Sequence, residues 1–338
     1  MIDFQYARAN DVADAVRQIS ADPAAKFIAG GTNLIDLMKE DVERPARLID
    51  ISRLPLRSVE ATPDGGLRIG ALVPNSDLAY HPLIAQRYPM LGSAILAGAS
   101  AQLRNMASTG GNLLQRTRCA YFYDVATPCN KRQPGSGCSA IAGLNRMHAI
   151  LGTSDACIAT HPSDMCVALA ALDATVHVAG PAGTRALAFS EFHRLPENTP
   201  QRDTNLQPNE IVTAVELPAR GFAANYSYLK IRDRLSYAFA LVSIAAGLEL
   251  EGDVIKEARL ALGGVAHRPW RDPTVEAALR GQPADRSAFA RAADVMLRDA
   301  KGFEHNAFKI DLARRAIVRA LTQAAAGTPQ SQSNKKIA

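Results

Sequence analysis

Apolar residues recur with period two in some stretches of the chain and with helical spacing in others. Their order sketches the fold. Residues 3–6 read as a strand, Asn10 or Asp11 caps a helix reaching Ser20, and 26–29 make a short apolar strand. Gly30-Gly31 interrupts that strand, Thr32-Asn33 caps a helix whose apolar face is Leu34, Leu37 and Met38, and 48–51 supply the next strand. This is a β-turn-α-β unit.

From Leu56 the pattern changes. Strand signals at 59–61 and 67–69 flank the turn Pro63-Asp64-Gly65-Gly66, and helical spacing follows over 83–96. Residues 116–162 keep neither period, which is long for a structureless loop in a compact domain, so something besides periodic burial must order them. Helical spacing resumes over 165–174, and 175–178 and 185–189 form a hairpin through Gly180-Pro181-Ala182-Gly183. Strand signals at 211–217, 226–231, 240–250 and 258–262 precede helices at 287–297 and 308–324. The pattern predicts a first subdomain over 1–54, a second over 55–180 carrying an aperiodic insert at 116–162, and an α+β domain over 185–300. A final helix is expected over 301–326, followed by a disordered tail at 327–338, whose residues are small and polar.

Composition adds bounds. A chain of 338 residues exceeds the size at which one core stops growing, which agrees with several subdomains. No apolar run approaches the roughly 20 residues a membrane helix needs, so no membrane span is expected. The net charge of +5 is modest and interspersed with acids, which argues against nucleic-acid binding. No basic-then-apolar stretch opens the chain, so an export signal of its own is not expected.

All five cysteines, Cys119, Cys129, Cys138, Cys157 and Cys166, fall in one short region. Four lie in the insert among Arg116, Arg118, Lys131 and Arg132, cations expected to lower thiol pKa and offset a thiolate site. Three readings stay open on residues alone. A disulfide framework has little physical need in a large domain, structural zinc usually shows C-x₂₋₄-C pairs that are absent, and widely spaced thiolates suit an iron–sulfur cluster, the leading reading. Cys166 sits in the apolar run Met165-Cys166-Val167-Ala168-Leu169 and reads as core. His148 and His161 read as hydrogen-bonding residues outside the thiolate set.

Two segments, Ile28-Ala29-Gly30-Gly31-Thr32-Asn33-Leu34 and Ser108-Thr109-Gly110-Gly111-Asn112-Leu113, share a strand-loop-helix design that offers backbone N–H groups to phosphate oxygens. Neither fits the Rossmann or P-loop pattern. Asp164 suits either a sugar hydroxyl or the acidic first turn of a helix, and Lys230, alternating with apolar residues, reads locally as a solvated strand face. No nucleophile-base-acid constellation is present, so no catalytic residue is expected on this chain.

These two glycine segments, with His161-Pro162-Ser163-Asp164, Arg234-Leu235-Ser236-Tyr237-Ala238-Phe239-Ala240 and Gly263-Gly264-Val265-Ala266-His267, resemble the FAD-binding medium subunit of the xanthine dehydrogenase and carbon monoxide dehydrogenase group of molybdenum hydroxylases. The stretch 112–119 and the later cysteines resemble the branch whose flavin subunit also carries a [4Fe–4S] cluster, as in bacterial periplasmic aldehyde oxidoreductase. The likeness spans Phe4 to Ala324. It implies an α+β protein: a two-part FAD-binding fold of the vanillyl-alcohol-oxidase type followed by a C-terminal domain of the CO dehydrogenase flavoprotein type. It further implies that Lys26, Phe27, Ile28, Ala29, Gly30, Gly31, Thr32, Asn33 and Leu34, with Ser108, Thr109, Gly111 and Asn112, wrap the FAD diphosphate. Asp164 would meet the sugar portion, Lys230 would lie near the flavin, and Cys119, Cys129, Cys138 and Cys157 would hold the cluster. Implied partners are a molybdopterin-binding large subunit, a [2Fe–2S] small subunit and an external electron acceptor. The implied compartment is periplasmic through export with a partner, or otherwise cytoplasmic.

Overall fold

The computed structural model describes residues 1–332. Strands β1 (Gln5–Arg8), β2 (Ala25–Ile28) and β3 (Arg47–Asp50) form a parallel sheet in the order β1-β3-β2, with α1 (Val12–Ala21) and α2 (Leu34–Lys39) as crossovers. Asp11 caps α1 by accepting from the Asp14 N–H, and Ala15, Val16 and Ile19 turn inward onto Ile49 and Ile51. This unit delivers the Gly30-Gly31 loop at the end of β2.

The second unit contains β4 (Val59–Ala61), β5 (Leu67–Gly70), the helices α3 (Asn75–Ala79), α4 (Pro82–Arg87), α5 (Pro89–Ala97), α6 (Ala101–Met106), α7 (Thr109–Leu113) and α8 (Ala120–Tyr123), and then α9 (Asp164–Ala171). It closes with the hairpin β6 (Thr175–Gly180) and β7 (Gly183–Ala188), the short α10 (Phe189–Phe192), and β8 (Ile211–Leu217). The helix expected over 83–96 is two helices because Pro89, lacking an N–H, starts a new one. The expected domain start at 185 moves to about 220. Strand β8 inserts between β5 and β6 in an antiparallel sheet of order β4-β5-β8-β6-β7, so β7 and β8 belong to the second unit.

The third unit is an antiparallel sheet of β9 (Tyr226–Ile231), β10 (Val242–Glu251), β11 (Val254–Gly263) and β12 (Trp270–Arg271), in the order β12-β11-β10-β9. Helices α11 (Pro273–Leu279), α12 (Arg286–Met296) and α13 (Phe308–Ala325) cover one face of it, and α5 and α9 approach the other. The final helix begins at Phe308, as the periodicity over 308–324 predicts, and not at the expected domain bound of 301. Within the tail expected to be disordered, Gln330 and Gln332 bond to the backbone of Lys230 and Tyr228, while 333–338 lie outside the described residues. Among the described residues no helix is long and apolar enough to cross a membrane.

Candidate functional site

The three units meet around a cleft of about 890 Å³. Of the residues expected to hold FAD, Gly30, Gly31, Thr32, Asn33, Gly111, Asn112, Asp164 and Lys230 line it. The others stand behind this lining. Lys26, Phe27, Ile28 and Ala29 form β2 and its exit, with Lys26 turned toward Glu43, and Leu34 opens α2. Ser108 and Thr109 shape the second loop from beneath, Ser108 by capping α7 and Thr109 by bonding to the Val73 carbonyl.

The first glycine loop is shaped by close backbone contact. A Cβ on Gly30 would lie 1.7 Å from the Met106 carbonyl oxygen, so only glycine lets the loop seat against the end of α6, and Gly31 holds φ at +74°. The N–H groups of Gly30, Gly31, Thr32 and Asn33 find no acceptor among the described residues, and they immediately precede α2. Asn33 occupies the cap position of α2 without capping it; its Oδ1 accepts from the Arg116 N–H and its buried Nδ2 has no partner. Unspent buried donors around a roomy cleft fit a diphosphate ligand.

The second loop differs from expectation. It follows α6 rather than a strand, Thr109–Leu113 is itself α7 behind the Ser108 cap, and its N–H groups are already used: Thr109 donates to Val73 O, Gly110 to Ala71 O, Gly111 to Ser108 Oγ and Asn112 to Ser108 O. What it offers the cleft is side-chain polarity. Asn112 Nδ2 donates to Asn75 Oδ1, while its Oδ1 accepts from Gln115 Nε2 and from Ser163 Oγ. Asn75, Gln115 and Ser163 line the same wall. Gln115 and Ser163 belong to stretches that carry the family resemblance but were given no role of their own, and Asn75 lies outside any motif. Across the cleft, Lys230 contradicts its local reading as a solvated side chain: it is buried, and its Nζ donates to Asp164 Oδ2 at 2.7 Å and to Ala97 O at 3.1 Å. Tyr228 donates to Asp164 Oδ1 at 2.7 Å, and burial raises its phenol well above the usual range. Arg118 is drawn toward the cleft by Asp36 and lies over the Phe239 ring.

The four insert cysteines converge as well. Cys119, Cys129, Cys138 and Cys157 line one small cavity, and no cysteine of the chain is disulfide-bonded. A disulfide framework is therefore excluded. Burial pushes the Cys119 thiol up to about 12 and the Cys157 thiol up to about 11, at Cys157 outweighing Lys131, so the expected net lowering by cations does not occur at these two. No three of these sulfurs gather within 4.8 Å of one another, whereas a tetrahedral zinc with Zn–S of about 2.3 Å draws sulfurs to about 3.8 Å. His148, read from sequence as a hydrogen-bonding residue, makes such a bond to the cluster of thiols, with Nε2 3.1 Å from Cys119 Sγ. Side chains order the insert in place of a sheet: Arg132 donates to the carbonyls of Tyr121 and Phe122, and Lys131 is buried between Pro200 O and Asp203.

Comparison with known proteins decides the family. The FAD binding domain in molybdopterin dehydrogenase matches residues 2–220, and the CO dehydrogenase flavoprotein C-terminal domain matches residues 226–324. The chain belongs to the FAD-binding medium subunits of the xanthine dehydrogenase family. It is 51% identical to the aldehyde oxidoreductase FAD-binding subunit PaoB of Escherichia coli (strain K12), over 96% of this chain and 98% of that one. It is 28% identical to the glyceraldehyde dehydrogenase medium chain of Sulfolobus acidocaldarius, over 81% and 80% of the two chains. Among solved structures, the carbon monoxide dehydrogenase of Hydrogenophaga pseudoflava superposes with a TM-score of 0.76 at 25% identity, covering 97% of this chain and 99% of that one. As a medium subunit of this family the chain is an FAD-binding part of an oxidoreductase, and the cleft is where its cradle and polar wall face each other. The family boundary between 220 and 226 coincides with the structural one set by β8.

Proposed function

We infer that this chain is the FAD and [4Fe–4S] electron-transfer subunit of a heterotrimeric molybdenum-containing aldehyde oxidoreductase. The carrying observation is the convergence of four cysteines, far apart in sequence, on one small cavity. Cys119, Cys129, Cys138 and Cys157 hold the cluster; Gly30 to Asn33, the Asn112 wall, Asp164 and Lys230 hold the flavin. When bound, FAD and the cluster supply the redox chemistry, exchanging electrons in pairs or singly. The protein residues bind, orient and shield. The N–H groups of the first loop bind the diphosphate, and Lys230, fixed by Asp164, places a positive charge at the wall of the cleft. Likeness to the aldehyde oxidoreductase FAD-binding subunit supports the substrate class, and membership among medium subunits supports a large and a small partner, which we take to carry molybdopterin and [2Fe–2S] clusters respectively. Export with such a partner would place the complex in the periplasm.

The test is purification of the complex from its native host with quantification of flavin, iron and subunits, followed by aldehyde oxidation with an artificial electron acceptor. The expected result is one flavin and four iron atoms on this chain, with activity only when the large subunit is present. Colourless, zinc-containing protein, or aldehyde oxidation by the isolated chain, would sink the reading.

A further inference from the structure

Three side chains that the preceding roles leave unused converge at the root of α9. Ring nitrogens of His161 and His193 and the Sγ of Cys166 all lie within 4.8 Å of one another, and among the described residues no other group of three His, Cys, Asp or Glu does so. They come from separate places. His161 ends the insert, Cys166 is the third residue of α9, and His193 follows α10. Cys166 is fully buried and His193 is 3% exposed, while His161 borders a small cavity that also touches Cys119 and Asp164.

The hydrogen bonds fix the chemistry of this spot. His193 Nε2 lies 2.8 Å from the Leu113 carbonyl, which accepts only an N–H, so Nε2 carries the proton and Nδ1 is a bare lone pair. That Nδ1 is buried and without a partner, and so is Nε2 of His161. The two rings, each with an orphaned nitrogen, lie 4.4 Å apart between centroids, an arrangement that calls for a water or an ion between them. An imidazole whose far N–H is held by a backbone carbonyl has the posture of a metal ligand. Burial holds His193 down to about 4 and His161 well below its usual range, so both rings are neutral at physiological pH.

We propose that His161, Cys166 and His193 bind a single zinc ion that clamps the first turn of α9 to the end of the insert and to the segment after α10. The donor set of one thiol and two imidazoles selects a thiophilic cation over magnesium or calcium. Binding displaces the Cys166 proton to solvent and forms the zinc–thiolate bond, leaving one net positive charge at the site. Asp164 and Asp203 are the carboxylates whose fields reach these groups. The ion would also fix Asp164, two residues before Cys166, beneath Lys230.

The experiment uses the complete complex from zinc-supplemented growth, washed with a chelator, for metal analysis and zinc-edge X-ray absorption. One zinc per chain is expected, with one sulfur and two imidazole nitrogens in its shell. Cys166→Ala and, separately, His193→Gln, which keeps a donor for Leu113, should each lose zinc at least fivefold while iron and flavin content hold. Zinc retained by both variants overturns the inference. So does zinc-free wild-type protein, in which a water satisfies the rings, and that result leaves the iron–sulfur reading standing. Zinc in a four-sulfur shell overturns both, because it would occupy the Cys119 quartet.

Discussion

Lys230 Nζ donates to Asp164 Oδ2 across 2.7 Å with both side chains buried, joining β9 of the C-terminal domain to the first turn of α9 at the wall of the cofactor cleft. Two elements from different domains thus share one charge pair.

Breaking that pair costs more than removing it. Lys230→Met leaves the Asp164 carboxylate buried with Tyr228 as its main support, and is expected to destabilise the chain by about 3–5 kcal/mol and to reduce flavin retention. Adding Asp164→Leu should restore most of the stability without the flavin. Urea denaturation and the ratio of flavin to protein absorbance separate the two effects; wild-type stability in the single variant would refute a structural role for the pair.

Glycine at 30 is required by space. Gly30→Ala would drive a Cβ to 1.7 Å from a backbone oxygen, so insoluble or flavin-free protein is expected. Gly135→Ala is the control. Its φ of +86° costs about 1–2 kcal/mol, but the space around it is open, so flavin content should match wild type.

Acid should weaken the fold before it reaches the carboxylates. His267 Nδ1 donates to Arg194 O and its Nε2 accepts from Lys131 Nζ, and burial with the Lys131 charge holds its pKa down to about 4. An unfolded histidine binds a proton near 6.5, so between about 6.5 and 4 the unfolded state holds more protons and stability falls as pH falls. The slope expected from this one residue is at most about 1.4 kcal/mol per pH unit. Below that window Asp203 adds to the loss, because Lys131 and Arg116 outweigh burial and hold its carboxyl well below the usual range. Denaturation midpoints at pH 7, 6 and 5 should decline in wild type and decline less steeply in His267→Gln.

The insert should open when its thiol site is disrupted. Cys129→Ser is expected to lose most of its iron and to be cut by trypsin at Lys131 or Arg132, residues that are buried or engaged with backbone carbonyls in the folded chain. An unchanged digestion pattern would mean that the side-chain hydrogen bonds alone hold the insert.

Local signals carried much of this architecture. The turn at Gly30-Gly31, the hairpin through 180–183 and the strands at 211–217 and 226–231 were legible because each is set by nearby residues. What was illegible depends on distant pairing. Strand β8 reads as a strand, yet nothing in it announces that it joins β5 and β6 rather than β9. Lys230 alternates as an exposed residue would, but α5 and α13 cover both sides of β9, so its outward face is buried too. The cysteines could be grouped from sequence, whereas their separation in space, which bears on zinc, could not.

Lys309 and Asn306 carry a consequence for biosynthesis. Both are fully buried at the start of α13, where Lys309 donates to His148 O and Gly264 O, and Asn306 donates to His148 O and Ala149 O. Translation delivers the cysteine segment long before these residues, so the ribosome releases it with its closing contacts still unmade. A chain truncated before Asn306 would therefore present the cysteine segment without this backbone clasp at His148 and Ala149.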